Sequence, residues 1–314
     1  MNLWKTKTLF WLTLLCALPQ VPVTAKHATS KDSLTPLQKL YGKNDKVICV
    51  TIPKAGTHLL IKALTLLEYE GITYNYNTEK TIGRRKPFPF ETSTSKNYSS
   101  VAFSRLTRRL TLNQKKRSSF LVHLPFEKKY KDFFAECTRK NFLMIRDPRA
   151  QLISLASVTL ENPEQRDTPA LIDTMLDLLD GGRRATPFMP RHHGSDLMWS
   201  IGIVKFYQKF LRWAQEPNFF VVRFENLVGP EGGGTEEAQI NEIKLIAAHL
   251  GYEVTDEKLQ NVMNNLYGET RTFKRGQADA WKKYFTPEVV AVFKAVPGAC
   301  QLLIDLGYET DDNW

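Results

Sequence analysis

Hydrophobic residues along the chain form two kinds of pattern. Short continuous runs rich in β-branched residues, such as Val47 to Ile52, are typical of buried strands. Longer stretches with apolar residues three or four positions apart, such as Thr57 to Leu67, are typical of amphipathic helices. These patterns predict further strands at 71–77, 120–124, 141–145 and 219–223, and helices at 130–137, 148–160, 171–179, 197–214, 235–250, 256–266 and 287–296. Strands that alternate with helices indicate an α/β domain with a mostly parallel sheet covered on both faces.

The first 25 residues have a different pattern from the rest of the chain. Lys5 and Lys7 precede an apolar run at 8–18, and small residues stand before Lys26, which is the layout of a secretory signal peptide. The apolar run is short for a membrane-spanning helix. We therefore expect an exported protein with a signal peptide at 1–25, a polar leader at 26–45 and one domain at 46–314. An uncleaved membrane anchor is the alternative.

The net charge of +10 comes largely from one segment, residues 79–118, which we call the basic insertion. It contains eleven lysines and arginines against two glutamates. Such a segment attracts acidic acceptors, polyanions or an anionic membrane surface, and we expect no nucleic-acid partner. Outside the signal region only Cys49, Cys137 and Cys300 remain, which is too few for a disulfide framework. No cysteine and histidine cluster has metal-ligand spacing, so we expect no metal.

The turn between the first strand and the first helix has the composition of an anion site. A strand that passes through a glycine directly into a helix points several backbone N–H groups and the positive end of the helix dipole at one place. Lys54 adds a mobile charge beside Gly56, and Thr57 and His58 add side-chain donors. Taken alone, the motif fits an ordinary strand–turn–helix with a solvated lysine equally well.

Three other places could contribute to the same chemistry. Arg146 ends a strand and Ser154 lies a little over two turns into the next helix, so the two could flank a second phosphate. Two cations before a glycine, at 274–276, could form a phosphate clamp. His123 ends an apolar strand and could be a general base, because the unperturbed pKa of a histidine side chain lies near neutrality; a lone histidine in such a run is nevertheless more often a core residue.

Together these motifs resemble the sulfotransferases that use 3′-phosphoadenosine 5′-phosphosulfate (PAPS) as donor. The segment 53–58, PKAGTH, is similar to that family's P-K-S-G-T-T loop, and Arg146 and Ser154 keep the eight-residue separation of its 3′-phosphate motif. The segments 123–125, 223–227 and 274–283 are similar to its H-L-P, R-Y-E-D-L and R-K-G-x-x-G-D-W-K motifs. The matches follow the family's order from about Lys46 to Thr286.

The resemblance implies a P-loop-like fold, PAPS as co-substrate and 3′,5′-ADP as product. It implies that His123 is the base, that Lys54 assists transfer, and that the donor is bound by two groups of residues. The first group holds the 5′-phosphosulfate and the second the 3′-phosphate: Lys54, Ala55, Gly56, Thr57 and His58, then Arg146, Ser154, Lys274, Arg275 and Gly276.

The chain also departs from the family pattern around the donor. Ala55 replaces a serine of the loop, His58 a threonine, and Leu59 a tryptophan that packs on the adenine in cytosolic members. In the terminal motif, Asp279 and Ala280 replace the glycine and the aspartate before the tryptophan. The family's adenine-contacting tyrosine could be either of two residues in this chain, Tyr207 and Tyr267.

The expected reaction is sulfuryl transfer to a hydroxyl or amine of a small-molecule or glycan acceptor, with an acidic acceptor favoured by the basic insertion. One alternative is a secreted, non-catalytic protein on the same fold that binds polyanions or membrane surfaces. The other is a P-loop nucleotide kinase. That class places its lysine after a loop glycine, whereas Lys54 precedes Gly56.

Overall fold

The computed structural model describes residues 46–72, 117–160, 169–180, 201–268 and 276–314. The predicted signal peptide and leader lie outside these ranges, as does the basic insertion up to residue 116. Lys274 and Arg275 also lie outside the described residues.

The described strands form one five-stranded sheet. They are β1 (Lys46–Thr51), β2 (Glu70–Ile72), β3 (Ser118–Val122), β4 (Lys140–Ile145) and β5 (Phe219–Arg223), in the order β2-β3-β1-β4-β5. Every neighbouring pair is parallel. The prediction of a single α/β domain with a parallel sheet is therefore confirmed.

Ten α-helices occur in the described residues, and most of those that the sequence predicted begin and end near the predicted positions. The exception is the helix predicted at 197–214, which begins only after Gly202 and ends at Leu211; residues 197–200 lie outside the described ranges. The helices are α1 (Thr57–Leu66), α2 (Lys128–Cys137), α3 (Pro148–Thr159), α4 (Pro169–Asp180), α5 (Ile203–Leu211), α6 (Phe224–Leu227), α7 (Glu236–Leu250), α8 (Asp256–Leu266), α9 (Pro287–Ala295) and α10 (Ala299–Asp305). Three 3-10 helices lie at Arg212–Gln215, Pro230–Gly232 and Ala278–Lys283. The sequence did not predict the short helices α6 and α10.

The strand register brings the carboxyl ends of four strands together. Val50 on β1 is paired with Val122 on β3, Thr51 with Met144 on β4, and Ile145 with Arg223 on β5. The residue that follows each strand therefore lies at the same edge of the sheet. This edge is where ligands bind in open α/β sheets.

Buried aromatic side chains fix the segment after β3. Trp213 is fully buried, and its ring stacks on Phe134 at 5.0 Å and on Phe219 at 4.8 Å between centroids. Its indole N–H donates to the carbonyl oxygen of Leu124 at 2.9 Å. The core therefore holds the backbone directly after His123.

The described cysteines are reduced, and Cys49 and Cys137 are buried in the core. Burial raises the pKa of the Cys137 thiol to about 12, so both are inert packing residues rather than nucleophiles. Among the described residues no group of three or more histidine, cysteine or acidic side chains could hold a metal ion. No single helix in the described ranges is long and apolar enough to cross a membrane; α9 and α10, bent by 90° relative to each other, pass that test only as a pair.

Candidate active site

The loop between β1 and α1 has two residues in the left-handed region of backbone space. Lys54 has φ 69° and Gly56 has φ 107°. A Cβ atom on Gly56 would lie 2.6 Å from Cδ2 of Phe224 and 2.7 Å from Cε of Met144, so only glycine fits there. Lys54 carries a side chain in this conformation, which costs a non-glycine residue about 1–2 kcal/mol. Contacts around the loop must therefore hold it.

Two carbonyl oxygens of the loop are held by Arg146, which directly follows β4, and by Gln151 on α3. Gln151 donates from Nε2 to the oxygen of Pro53 at 2.6 Å, and Arg146 reaches the oxygen of Lys54 at 3.5 Å. In a trans peptide the next N–H points the opposite way, so the N–H of Lys54 faces away from Gln151. A helix leaves its first N–H groups without intrahelical acceptors, and the first helical hydrogen bond here is from Leu60 N to Gly56 O. The loop thus has the geometry of an anion site.

His123 follows β3 and is connected to this loop through Thr51. Its Nδ1 lies 2.8 Å from the backbone oxygen of Thr51 and 3.0 Å from the Thr51 hydroxyl, which in turn lies 2.9 Å from the hydroxyl of Thr57. A carbonyl oxygen can only accept a hydrogen bond, so Nδ1 carries the proton. In the neutral ring Nε2 then has the lone pair, which can accept a proton from a bound alcohol or amine.

Arg146 follows β4 and is only 8% exposed. It donates from Nη2 to the oxygen of Gln277 at 2.8 Å, and its guanidinium lies 4.1 Å from the centroid of the Phe224 ring. Burial lowers the pKa of Arg146, and the nearby carboxyl of Glu225 opposes this shift. Nε of Arg146 is buried and has no hydrogen-bond partner among the described residues. A buried cation with an unused donor is suited to an anionic ligand.

The two candidate tyrosines lie in different environments. Tyr207 is fully buried, and its hydroxyl donates to the backbone oxygen of Arg146 at 2.9 Å. Tyr267 is partly exposed, and its hydroxyl lies 2.9 Å from Nε2 of Gln277, the residue that also accepts from Arg146. Tyr207 therefore supports the backbone of the site, while Tyr267 lies beside it.

The remaining predicted site residues differ in how far they are exposed. Gly276 is partly exposed with φ 57°, directly before Gln277. Ser154 is partly buried on α3, and His58 is partly exposed in the first turn of α1. Ala55 is fully buried, so this position contributes to the loop through its backbone.

The structure also reveals residues to which the sequence assigned no role. Thr51 and Gln151 lie outside the matched motifs, and Phe224 and Gln277 lie inside the matched segments 223–227 and 274–283. Phe224 is in contact with both Gly56 and Arg146 because it follows β5 next to the end of β4. The sequence carried one usable signal, since Gln151 is a polar residue within the apolar stretch of α3. Locating Thr51 and Gln277 requires knowledge of which strands and loops are neighbours.

Comparison with known proteins identifies the family of this chain. The family model for the sulfotransferase domain matches residues 44–303. The chain belongs to the sulfotransferase family. No curated protein sequence matches it.

Solved structures with a similar fold include several complexes with PAP. This sulfotransferase is 17% identical to mouse sulfotransferase SULT7A1 complexed with PAP, with a TM-score of 0.53 over 87% of this chain and 90% of that one. Retinol dehydratase complexes with PAP, one with androsterone and one with retinol, are 14% identical with TM-scores of 0.46. The alignments cover 85% and 87% of this chain, respectively, and 83% of each retinol dehydratase chain. Identities this low show likeness of fold alone.

The family assignment confirms the resemblance seen in the sequence. The sulfotransferase is therefore an enzyme of sulfuryl transfer, which disfavours the P-loop kinase alternative. The roles of individual residues and the nature of the acceptor go beyond this assignment.

Proposed function

We propose that this sulfotransferase uses PAPS as donor and transfers its sulfuryl group to a hydroxyl or amine, with His123 as general base. The observation that carries the proposal is the contact of His123 Nδ1 with the backbone oxygen of Thr51 at 2.8 Å. It sets the tautomer in which Nε2 accepts a proton. It also connects the histidine, through Thr51, to Thr57 at the anion-binding loop.

The 5′ side of the donor would bind at the loop 53–58. Lys54 brings a positive charge there, and backbone N–H groups at the start of α1 supply directed donors. Gly56 permits the left-handed turn of the loop and its close packing on Phe224 and Met144, since no side chain fits at this position. Thr57 and His58 complete this half, while Ala55 shapes the loop, because its N–H already donates to the oxygen of Ile52 at 2.9 Å.

The 3′ side would bind at the end of β4. Arg146 fits a phosphate, because its guanidinium is buried and Nε has no partner among the described residues. Ser154 and Gly276 join it in the proposal, together with Lys274 and Arg275 of the segment before Gly276. This half distinguishes PAPS from ATP. Tyr267 is the better candidate to contact the adenine, because the hydroxyl of Tyr207 already serves the backbone of Arg146.

The reaction assigns a distinct task to each group. When bound, PAPS supplies the sulfuryl group, and 3′,5′-ADP leaves as the sulfur–oxygen bond to phosphate breaks. His123 Nε2 takes the proton from the acceptor oxygen or nitrogen as the new bond to sulfur forms. Lys54 and the loop N–H groups stabilise charge on the sulfuryl oxygens and on the departing phosphate. His123 and the loop that carries Lys54 both follow strands at the same edge of the sheet, and this supports the proposal of in-line attack.

The acceptor is proposed to be an acidic glycan or another anionic molecule, because the basic insertion lies in the chain just before His123. The same segment could contact an anionic membrane surface. Export through the segment 1–25 would place the enzyme in a lumen supplied with PAPS or in a host compartment. A cytosolic, unprocessed protein found on fractionation would contradict this location.

The test is transfer of radiolabelled sulfonate from PAPS across a library of acidic glycans, neutral glycans and phenols. We expect labelled product with acidic acceptors, and we expect 3′,5′-ADP to stabilise the protein against heat more than ADP with magnesium. Binding of polyanions with no transfer to any acceptor would instead support a non-catalytic binding protein. Equal turnover of neutral phenols after neutralisation of the basic insertion would refute the acceptor preference.

A further inference from the structure

The residues after α10 run back across the carboxyl edge of the sheet. We call residues 306–314 the C-terminal strap. Leu306 accepts a hydrogen bond from Arg223 Nη2 at 2.5 Å, and the hydroxyl of Tyr308 donates to Oε2 of Glu225 at 2.9 Å. At its far end Lys294 on α9 donates to the backbone oxygens of Asp312 and Trp314 at 2.6 and 2.8 Å. The strap is therefore attached to the fold along its length.

Arg149 is the centre of the contacts between the strap and the site. It is 2% exposed and forms ion pairs with Asp147, at 2.8 Å, and with Glu309 of the strap. Its guanidinium contacts two indole rings, 3.7 Å from the centroid of Trp281 and 4.6 Å from that of Trp314. Cation–π contacts of a desolvated arginine are among the stronger ones. Two of its four partners thus belong to the strap.

The other two partners lead to the 3′ half of the site. Asp147 directly follows Arg146 at the end of β4. Trp281 lies in the 3-10 helix Ala278–Lys283, which begins directly after Gln277, and the oxygen of Gln277 accepts from Arg146 at 2.8 Å. Arg149 therefore links the segment after β4 to the 3-10 helix Ala278–Lys283, and both of these elements adjoin Arg146. The strap packs against this cluster through Glu309 and Trp314.

We infer that Trp314 and Glu309 are positioning residues that hold Arg146 and the segment Gly276–Gln277 in the geometry for a 3′-phosphate. This inference rests on the proposed donor. The loop 53–57 is held mainly by contacts outside the strap, from Gln151 to Pro53 at 2.6 Å and from Ala55 N to Ile52 O at 2.9 Å, whereas Arg146 reaches the oxygen of Lys54 only at 3.5 Å. Loss of the strap contacts should therefore affect the 3′ half and leave binding of a 5′-phosphate nearly unchanged.

The test compares Trp314→Ala with the wild type for two ligands, 3′,5′-ADP and 5′-AMP, by titration calorimetry on the full chain. We expect the Kd for 3′,5′-ADP to rise roughly tenfold, because one desolvated cation–π contact is lost and Arg146 and Gly276–Gln277 are held less firmly. The Kd for 5′-AMP should change less than about twofold. Trp314→Phe keeps a ring against Arg149, and the indole N–H has no partner among the described residues, so it should restore affinity. Glu309→Gln should act in the same direction, and it replaces Trp314→Ala if that variant fails to fold.

A matched control tests whether lost packing alone explains the effect. Tyr252 is a partly buried aromatic residue packed on the core after α7, and its hydroxyl donates to Leu67 O at 3.4 Å. Tyr252→Ala should leave both affinities unchanged. Equal weakening of both ligands by Trp314→Ala, or no weakening of either, would overturn the inference. A wild type that shows no preference for 3′,5′-ADP over 5′-AMP would instead refute the proposed donor.

Discussion

Gln151 provides a direct test of how the loop 53–58, where the 5′ side of PAPS would bind, is held in place. It is fully buried on α3, and its Nε2 donates to the backbone oxygen of Pro53 at 2.6 Å. Gln151→Leu removes this donor and keeps most of the side-chain volume. The loop then loses a restraint next to Lys54, whose φ of 69° is costly for a residue with a side chain.

The size of the effect follows from the buried acceptor. A buried carbonyl left without its donor costs about 1–3 kcal/mol, which is comparable to the strain at Lys54 of about 1–2 kcal/mol. Since about 1.4 kcal/mol is a factor of ten, we expect a roughly tenfold loss of affinity for ligands with a 5′-phosphate. Oε1 of Gln151 has no partner in the described part of the chain, so leucine also removes an unsatisfied oxygen. The free energy of unfolding should therefore change less than binding does.

Calorimetric titration with three ligands measures this effect. Affinity for 3′,5′-ADP and for 5′-AMP should fall together, while affinity for 3′-AMP should stay within about twofold of the wild type. Thr138→Val is the control. It also removes a buried hydrogen bond, of 2.6 Å from the Thr138 hydroxyl to Asn141, but at the amino end of β4 rather than at the carboxyl end where the site lies. Unchanged affinity for 5′-AMP, or an equal loss for 3′-AMP, would refute the reasoning.

Three further substitutions have defined outcomes. Gly56→Ala should destabilise the protein by at least about 2 kcal/mol in urea unfolding and abolish transfer, because its Cβ would lie 2.6 Å from Phe224; native stability would contradict this. Arg146→Lys should weaken 3′,5′-ADP about tenfold and spare 5′-AMP in the same titrations, since lysine lacks the guanidinium fork. Burial lowers the pKa of His249 from 6.5 to about 4. The free energy of unfolding should therefore fall by up to about 3 kcal/mol as the pH decreases through this window. Urea unfolding at pH 7 and 4.5 measures this decline, which should be smaller in His249→Phe.

The sequence predicted the fold well because the central strands β1 and β4 are almost fully buried and the edge strand β5 is apolar over its first four residues. Such strands appear as continuous apolar runs, and β1 and β5 were found within one residue of their bounds. The helix α6 was missed because four residues that follow a strand directly carry no periodic signal. The cap of α3 was readable, since Asp147 precedes Pro148 and accepts from Arg149 N at 2.8 Å.

From the sequence, only those site residues that belong to short local motifs could be predicted. Lys54, His123 and Arg146 each follow a strand, and the parallel sheet brings those strand ends together. Thr51 and Phe224 contact them only because β1, β3, β4 and β5 pair in one register, which no single segment encodes. Tyr207 was one of two candidates to contact the adenine, because its sequence context does not distinguish a ligand-contacting tyrosine from a core tyrosine on a helix. Its burial and its bond to Arg146 appear only in three dimensions.

The central claim is sulfuryl transfer with His123 as base, and a single-turnover measurement tests it most directly. Radiolabelled PAPS is mixed with excess enzyme and an acceptor from the library, and the rate of labelled product is compared between wild type and His123→Ala. We expect the rate to fall by about 10²–10⁴-fold, the usual contribution of a general base, with the Kd for 3′,5′-ADP unchanged. Transfer by His123→Ala at the wild-type rate would contradict the account.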